Sequence, residues 1–265
     1  ARRELGRRGP AAVAPLAEVL ADGTSQQQRL HAVWSLSRID GVQARSATRV
    51  ALQDSDPTVR QAALHTISVH RDLASAEDLV ALLGSDSAHN RRAAAEAIGR
   101  VGSPAHISSL LEAIAGCDDR SLQHSLTYAV MEISNPAEIR RVLESAEDPQ
   151  LIRGGLIALD QIGDDALHKD DVLPILNSSS AVLRETAWWI VNHRSDWAED
   201  VAPAFRQWLS DSQRAEQTAK DLTDQLARFA SVANVQQVLA DSLADGDTSL
   251  VVRHALLLFP PLVGL

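Results

Sequence analysis

Along this chain apolar residues recur three and four positions apart, in short bursts divided by Asp, Ser, Gly and Pro. That is the period of helices with one buried face. The stretch 54–102 gives the plan of the rest. An apolar helix, a short Asp/Ser turn and an Ala-rich helix opening on Arg follow one another, and the same order returns about 31 residues later. Repetition at such a period means stacked helix pairs, each burying its apolar face against its neighbours rather than in one central core.

The pattern predicts paired helices over 12–21 and 25–40, 42–53 and 57–70, 75–83 and 87–101, 104–115 and 119–134, 136–146 and 149–162, 170–176 and 181–193, 198–209 and 213–231, and 233–243 and 249–259. Apolar stripes in the second helices include Ala32, Val33, Leu36 and Ile39, then Val59, Ala63, Leu64 and Ile67, and later Leu122, Leu126, Val130 and Ile133. The punctuation agrees. Asp56 stands where a carboxylate caps the helix that follows, and Pro57 occupies its first turn, where a missing N–H leaves no bond unmade. Asp148-Pro149 repeats the device. Gly154-Gly155 inside a helix, at about 1 kcal/mol each against Ala, implies close approach of a neighbouring helix. The expected fold is all-α: one right-handed α-α superhelix over 1–265, with about seven to eight pairs, most regular over 11–195 and divergent over 210–245.

Composition refines this picture. Hydrophobic residues make up 45% and aromatics 3%, so a core of Ala, Leu, Val and Ile is expected. A net charge of −10 argues against nucleic acid as partner, which needs a surplus of Lys and Arg facing phosphates. The charge is uneven. Residues 1–60 hold nine Arg against six Asp and Glu, whereas 195–265 hold five Arg and Lys against ten. Cys117 is the single cysteine, which excludes an internal disulfide, a Cys-based zinc site and a C-x-x-C-H haem attachment within these residues. No apolar run reaches the ~20 residues that span a bilayer. The opening Ala-Arg-Arg and the apolar close at 259–265 are expected of a piece of a longer protein, taken here to be monomeric.

The string Asp-x-x-Val-Arg-x-x-Ala over 56–63, with relatives over 91–102, 152–163 and 183–190, resembles HEAT repeats, particularly those related to phycobilisome-lyase HEAT-like repeats. That resemblance implies an armadillo-like solenoid whose second helices line a protein-binding concave face. Three segments resemble something narrower: RLHAVW at 29–34, DR at 119–120 followed by HSLTYA at 124–129, and WWIV at 188–191 running to Trp197. They are similar to the HEAT segment of large bacterial multidomain proteins. In those, a sugar-dehydrogenase-like propeller precedes the repeats and a cytochrome c or haem-binding domain follows. Such proteins are exported, and many are membrane-bound dehydrogenases. The resemblance implies a docking arm between two redox domains, a periplasmic or exported setting, and no cofactor in the arm itself.

Two rows of residues are candidates for contact with a partner. Taking Leu36, Ile67, Ile98, Val130, Leu159 and Ile190 as facing the first helices, the residue two positions earlier points outward. That column reads Trp34, His65, Glu96, Tyr128, Ile157 and Trp188. Large amphipathic side chains on an open groove suit protein binding; ordinary packing between repeats is the competing reading. One turn earlier stand the basic or titratable Arg92, His124, Arg153 and Arg184. They either grip acidic groups of a partner or belong to a ladder of bonds from Arg to turn Asp residues between repeats, and the ladder is preferred, above all for Arg60 with Asp54 or Asp56.

No metal-ligand spacing, Gly-rich phosphate loop, nucleophile elbow or HExxH occurs, so no catalytic residue is assigned. The leading expectation is a non-catalytic scaffold that binds a protein or sister domains. A second is a HEAT-like alkylpurine DNA glycosylase, with Trp188, Trp189, Arg184 and Glu185 as the matching composition and the acidic balance against it. A third, from the repeat subtype alone, is a lyase-like or chaperone role on tetrapyrrole proteins.

Overall fold

The computed structural model describes residues 4, 7–85, 87–163 and 165–244. The expected helix at 249–259 lies outside them. All regular structure among the described residues is helical, and the fold is an all-α helical repeat solenoid. The chain divides into two compact units, 1–162 and 163–265.

In the first unit the helices run α1 Val13–Asp22, α2 Gln26–Leu36, α3 Val42–Val50, α4 Pro57–His70, α5 Ala76–Ala81, α6 Ala88–Val101, α7 Ile107–Glu112, α8 Arg120–Ile133, α9 Pro136–Leu143 and α10 Pro149–Ile162. The even-numbered helices lie side by side in chain order, each packed on the next. Each odd-numbered helix packs on the even one that follows it, which makes two layers. The odd helices are shorter than expected because their ends tighten into 3-10 turns, at Ala51–Gln53, Leu73–Ser75, Leu82–Gly84 and Pro104–His106. Such turns satisfy terminal backbone groups at the edge of a helix too short for long α-runs.

The core between the layers is aliphatic, as composition predicted. Val33, Leu36, Leu52, Leu64, Ile67, Leu79, Ile98, Ile107, Leu110, Leu126 and Leu159 are all buried. Glycines set the closest approaches. A Cβ on Gly99 would lie 3.0 Å from the Cα of Ala129, so α6 and α8 meet where neither carries bulk. Gly154 and Gly155 fulfil the expectation of close packing: a Cβ on either would meet Ile114 at 2.6 Å or Leu143 at 2.7 Å.

The second unit contains α11 Lys169–Val172, α12 Ala181–Val191, the 3-10 turn Ser195–Val201, α13 Ala202–Ser210, α14 Ser212–Gln217, α15 Ala219–Phe229 and α16 Ala233–Ala244. Here the purely aliphatic core expected from composition is corrected. Trp188 stacks at tilted angles on Phe205 at 5.1 Å, Trp208 at 5.8 Å and Phe229 at 6.2 Å, all four rings buried. The few aromatics of the chain are concentrated, so a low overall percentage hides a local aromatic core. The helix expected over 213–231 breaks at Thr218, whose hydroxyl accepts the indole N–H of Trp208 at 2.9 Å.

Candidate functional site

The second helix of each of the first six pairs opens on a side chain that accepts hydrogen bonds from the first turn. Ser25 accepts from the N–H of Gln28, Asp56 from Thr58, Ser87 from Asn90, Asp119 from Ser121 and Leu122, Asp148 from Gln150 and Leu151, and Ser180 from Leu183. An oxygen at that place satisfies donors the helix leaves orphaned. The caps therefore define a common register, and every candidate residue can be placed by its distance from its own cap.

Four residues past five of these six caps stand Arg29, Arg60, Arg91, Gln123 and Arg184, with Ile152 in that place after Asp148. Each of the five reaches back to the carbonyl two residues before the cap: Gly23 at 3.0 Å, Asp54 at 2.8 Å, Ser85 at 2.9 Å, Cys117, and Ser178 at 2.8 Å. At that turn position the side chains of Asp54, Ser85 and Ser178 accept the N–H of the cap residue. The side chain past the cap thus ties the helix to the loop that enters it. For Arg60 these bonds go to the main-chain oxygens of Asp54 and Ser55 in the turn of its own repeat, so they are not the expected ladder between repeats.

The carboxylate of Asp54 belongs instead to the preceding repeat. Arg29 holds it with two bonds, Nε to Oδ2 at 2.6 Å and Nη2 to Oδ1 at 3.0 Å. Burial pushes the Asp54 carboxyl up, but the Arg29 hydrogen bond, the Asp56 N–H and the charges of Arg29 and Arg60 together hold it below its ordinary value. The same bond raises the Arg29 guanidinium. Further ties join neighbouring repeats: Arg49 to Asp72 at 2.6 Å, Arg100 to Ser68 Oγ at 2.9 Å, and the His70 ring to the Ser37 carbonyl at 2.9 Å.

Nine residues past the cap lie Trp34, His65, Glu96, Tyr128 and Ile157, the expected column of the first unit. His65, Glu96 and Tyr128 are exposed, Tyr128 at 49%, while Trp34 and Ile157 are half-buried. Trp34 leans on His65 with ring centroids 5.6 Å apart. Farther along, Glu96 and Tyr128 border an open hollow of about 240 Å³ between α6 and α8, which Arg100, His124, Ser125 and Glu132 complete. Column and hollow are brought together by the side-by-side packing of the even helices.

Trp188 does not occupy this position. It lies eight residues past Ser180, is 4% exposed, and donates its indole N–H to the Leu176 carbonyl at 3.1 Å. The column residue of α12 is Trp189, 48% exposed, with its ring edge-on to His193 at 4.6 Å. The physical reason is register: a helix is phased from its own cap, and Ser180 follows Asp148 by one residue more than the apolar spacing suggested. Arg184 falls to the same correction. It matches Arg60 as a loop tie, and the equivalent of Arg92, His124 and Arg153 is Glu185, so the basic row is confined to the first unit. Within that row His124 is exposed, Arg153 is half-buried, and the half-buried Arg92 has a buried Nε with no hydrogen-bond partner. The string Ser180-x-x-Leu183-Arg184, set against Asp56-x-x-Val59-Arg60, is the signal that identifies Trp189.

Among the described residues no group of three or more His, Cys, Asp and Glu converges as a metal site, and no helix is long and apolar enough to cross a membrane. Cys117 is half-buried, with Sγ 3.6 Å from the Asp119 carbonyl.

Comparison with known proteins places HEAT repeats at residues 13–88 and 45–131. A search of curated proteins gives no match. Solved structures similar to this chain include human deoxyhypusine hydroxylase in complex with glycerol, 15% identical, covering 96% of this chain and 95% of that one with a TM-score of 0.40. An engineered protein is also similar, 17% identical, covering 96% and 82% with a TM-score of 0.42. Likeness at that level carries no argument about what this chain does.

Proposed function

We propose that the chain is a non-catalytic scaffold that binds a protein through the column Trp34, His65, Glu96 and Tyr128. The carrying observation is positional. One place in four consecutive second helices, nine residues past the cap, holds Trp34, His65, Glu96 or Tyr128, the last three exposed and Trp34 half-buried, on helices whose buried faces are mainly aliphatic. A helix stack needs no such residues for its own core, and aromatic anchors flanked by charged groups are what protein interfaces use. HEAT repeats, which occupy 13–131, commonly mediate protein interactions.

The finer reading is that this scaffold is the inter-domain arm of an exported haem-containing dehydrogenase. Its support is the likeness of the segments at 29–34, 119–129 and 188–197 to the HEAT segment of such proteins. Reading the parent gene on both sides tests it: a signal peptide upstream and a C-x-x-C-H motif downstream are expected, and a frame with neither overturns it.

For the scaffold itself, flanking domains of the parent are used as bait for the purified chain. Tyr128→Ala and Trp34→Ala are expected to weaken capture about tenfold each while helicity persists, the effect of losing an interface anchor. Capture equal to wild type in both rejects the column. A gel shift at low salt covers the competing DNA enzyme, since duplex binding that falls steeply with salt would establish a phosphate-facing groove instead.

A further inference from the structure

The hollow between α6 and α8 has a chemistry of its own. Glu96 and Glu132 stand on its rim, both exposed, and neither makes a hydrogen bond or ion pair among the described residues. Glu132 and Tyr128 are one turn apart on α8, so a carboxylate and an aromatic ring share that wall. Gly99 on the opposite helix leaves room for this position of the carboxylate: a Cβ there would lie 2.5 Å from Glu132 Oε2, so a larger residue would make the Glu132 side chain shift. Arg100, the one guanidinium in the lining, donates one N–H to Ser68 Oγ at 2.9 Å and keeps its charge. Two carboxylates without a bonded partner, against the single charge of Arg100, leave the lining with an excess negative charge around a half-exposed phenol ring. In a chain of net charge −10, that excess calls for a cation. At about 240 Å³ the hollow is smaller than the clefts that take cofactors or metabolites, and suits a single long side chain.

Resting on the column's reading as a partner surface, we propose that this hollow seats the arginine side chain of a basic partner segment. A guanidinium is flat, so it stacks on the Tyr128 ring while its N–H groups fork to the carboxylates of Glu96 and Glu132. A lysine ammonium supplies the charge without the plane or the fork. The segment lies along the column, with its other side chains against His65 and Trp34.

Tyr128 is the only tyrosine, so one 13C-labelled ring reports on the hollow in the whole chain. The probe is the blocked tripeptide acetyl-Gly-Arg-Gly-amide, with its lysine and citrulline counterparts as controls. A saturable shift of the Tyr128 ring signal is expected with arginine, about fivefold weaker with lysine, and absent with citrulline, which keeps the shape and loses the charge. The Glu96→Gln/Glu132→Gln double variant is expected to weaken the arginine response about tenfold, and each single variant part of the way. No saturable shift, an equal response to citrulline, or an unchanged double variant overturns the proposal. The scaffold reading fails separately. If partner capture survives the double glutamine variant but not Trp34→Ala, the scaffold stands and the arginine seat falls. A saturable arginine response with capture indifferent to Trp34→Ala and Tyr128→Ala does the reverse.

Discussion

Asp54 concentrates more of the fold's logic than any other residue. Its Oδ1 closes its own turn by accepting the Asp56 N–H, its carbonyl anchors Arg60, and its carboxylate takes both bonds from Arg29 of the preceding repeat. The Asp54 and Arg29 side chains are only 5% and 15% exposed, so solvent screens the pair little. Asp54→Asn keeps an oxygen for the Asp56 N–H and removes the charge, isolating the ion pair. It is expected to destabilise the protein by about 1–3 kcal/mol at pH 7. The pH dependence follows from the sign of the shift. A carboxyl held below its ordinary value contributes stability that is complete above that value, roughly pH 4, and lost as pH falls through the lower folded value. Urea unfolding of wild type and variant should therefore differ fully near neutrality and converge in acid. A difference that stays constant down to pH 2 would mean that packing, not charge, sets the effect.

At the scale of the element, the number of residues from cap to side chain decides which face a residue joins. Asp56-Pro57 and Asp148-Pro149 are legible in the sequence because cap and proline chemistry is local, and the helices they start are where the pattern predicts. Trp188 and Trp189 were not separable by apolar periodicity, since both neighbours of a boundary between faces are apolar; only the tie at Arg184 fixes the phase. Gly154-Gly155 announces itself as a pair, whereas Gly99 is a lone glycine among alanines, and its closeness to Ala129 depends on the partner helix. The hollow was likewise beyond sequence reading, because it depends on how far apart α6 and α8 stand at Glu96 and Glu132. Register gives a direct test. Trp188→Ala should cost about 3–5 kcal/mol, as for a large aromatic removed from a closed core, and Trp189→Ala under about 1 kcal/mol. Chemical denaturation of the two variants measures both. Equal losses would place the two indoles in comparable environments and undo the assignment of Trp189 to the column.

Over the whole molecule, stability is distributed as a chain of neighbour contacts. The ties inside the first unit run from one repeat to the adjacent one: Arg29 to Asp54, Arg49 to Asp72, His70 to Ser37, and Arg100 to Ser68. The even helices pack in the same consecutive order, so every large buried contact of α1 to α10 has its partner nearby in sequence. Repeat stacks of this kind add stability by nearest-neighbour terms, and loops of such modest length close at small entropic cost. Residues 1–162 carry their own caps, their own aliphatic core and every member of the column except those of α12. Expressed by themselves, they are expected to be helical and to unfold in one cooperative urea transition. They should also retain the Tyr128 response to acetyl-Gly-Arg-Gly-amide. A fragment that is unfolded by circular dichroism would show that the first unit draws its stability from residues 163–265. A folded fragment without the Tyr128 response would separate the hollow's chemistry from the stack that builds it.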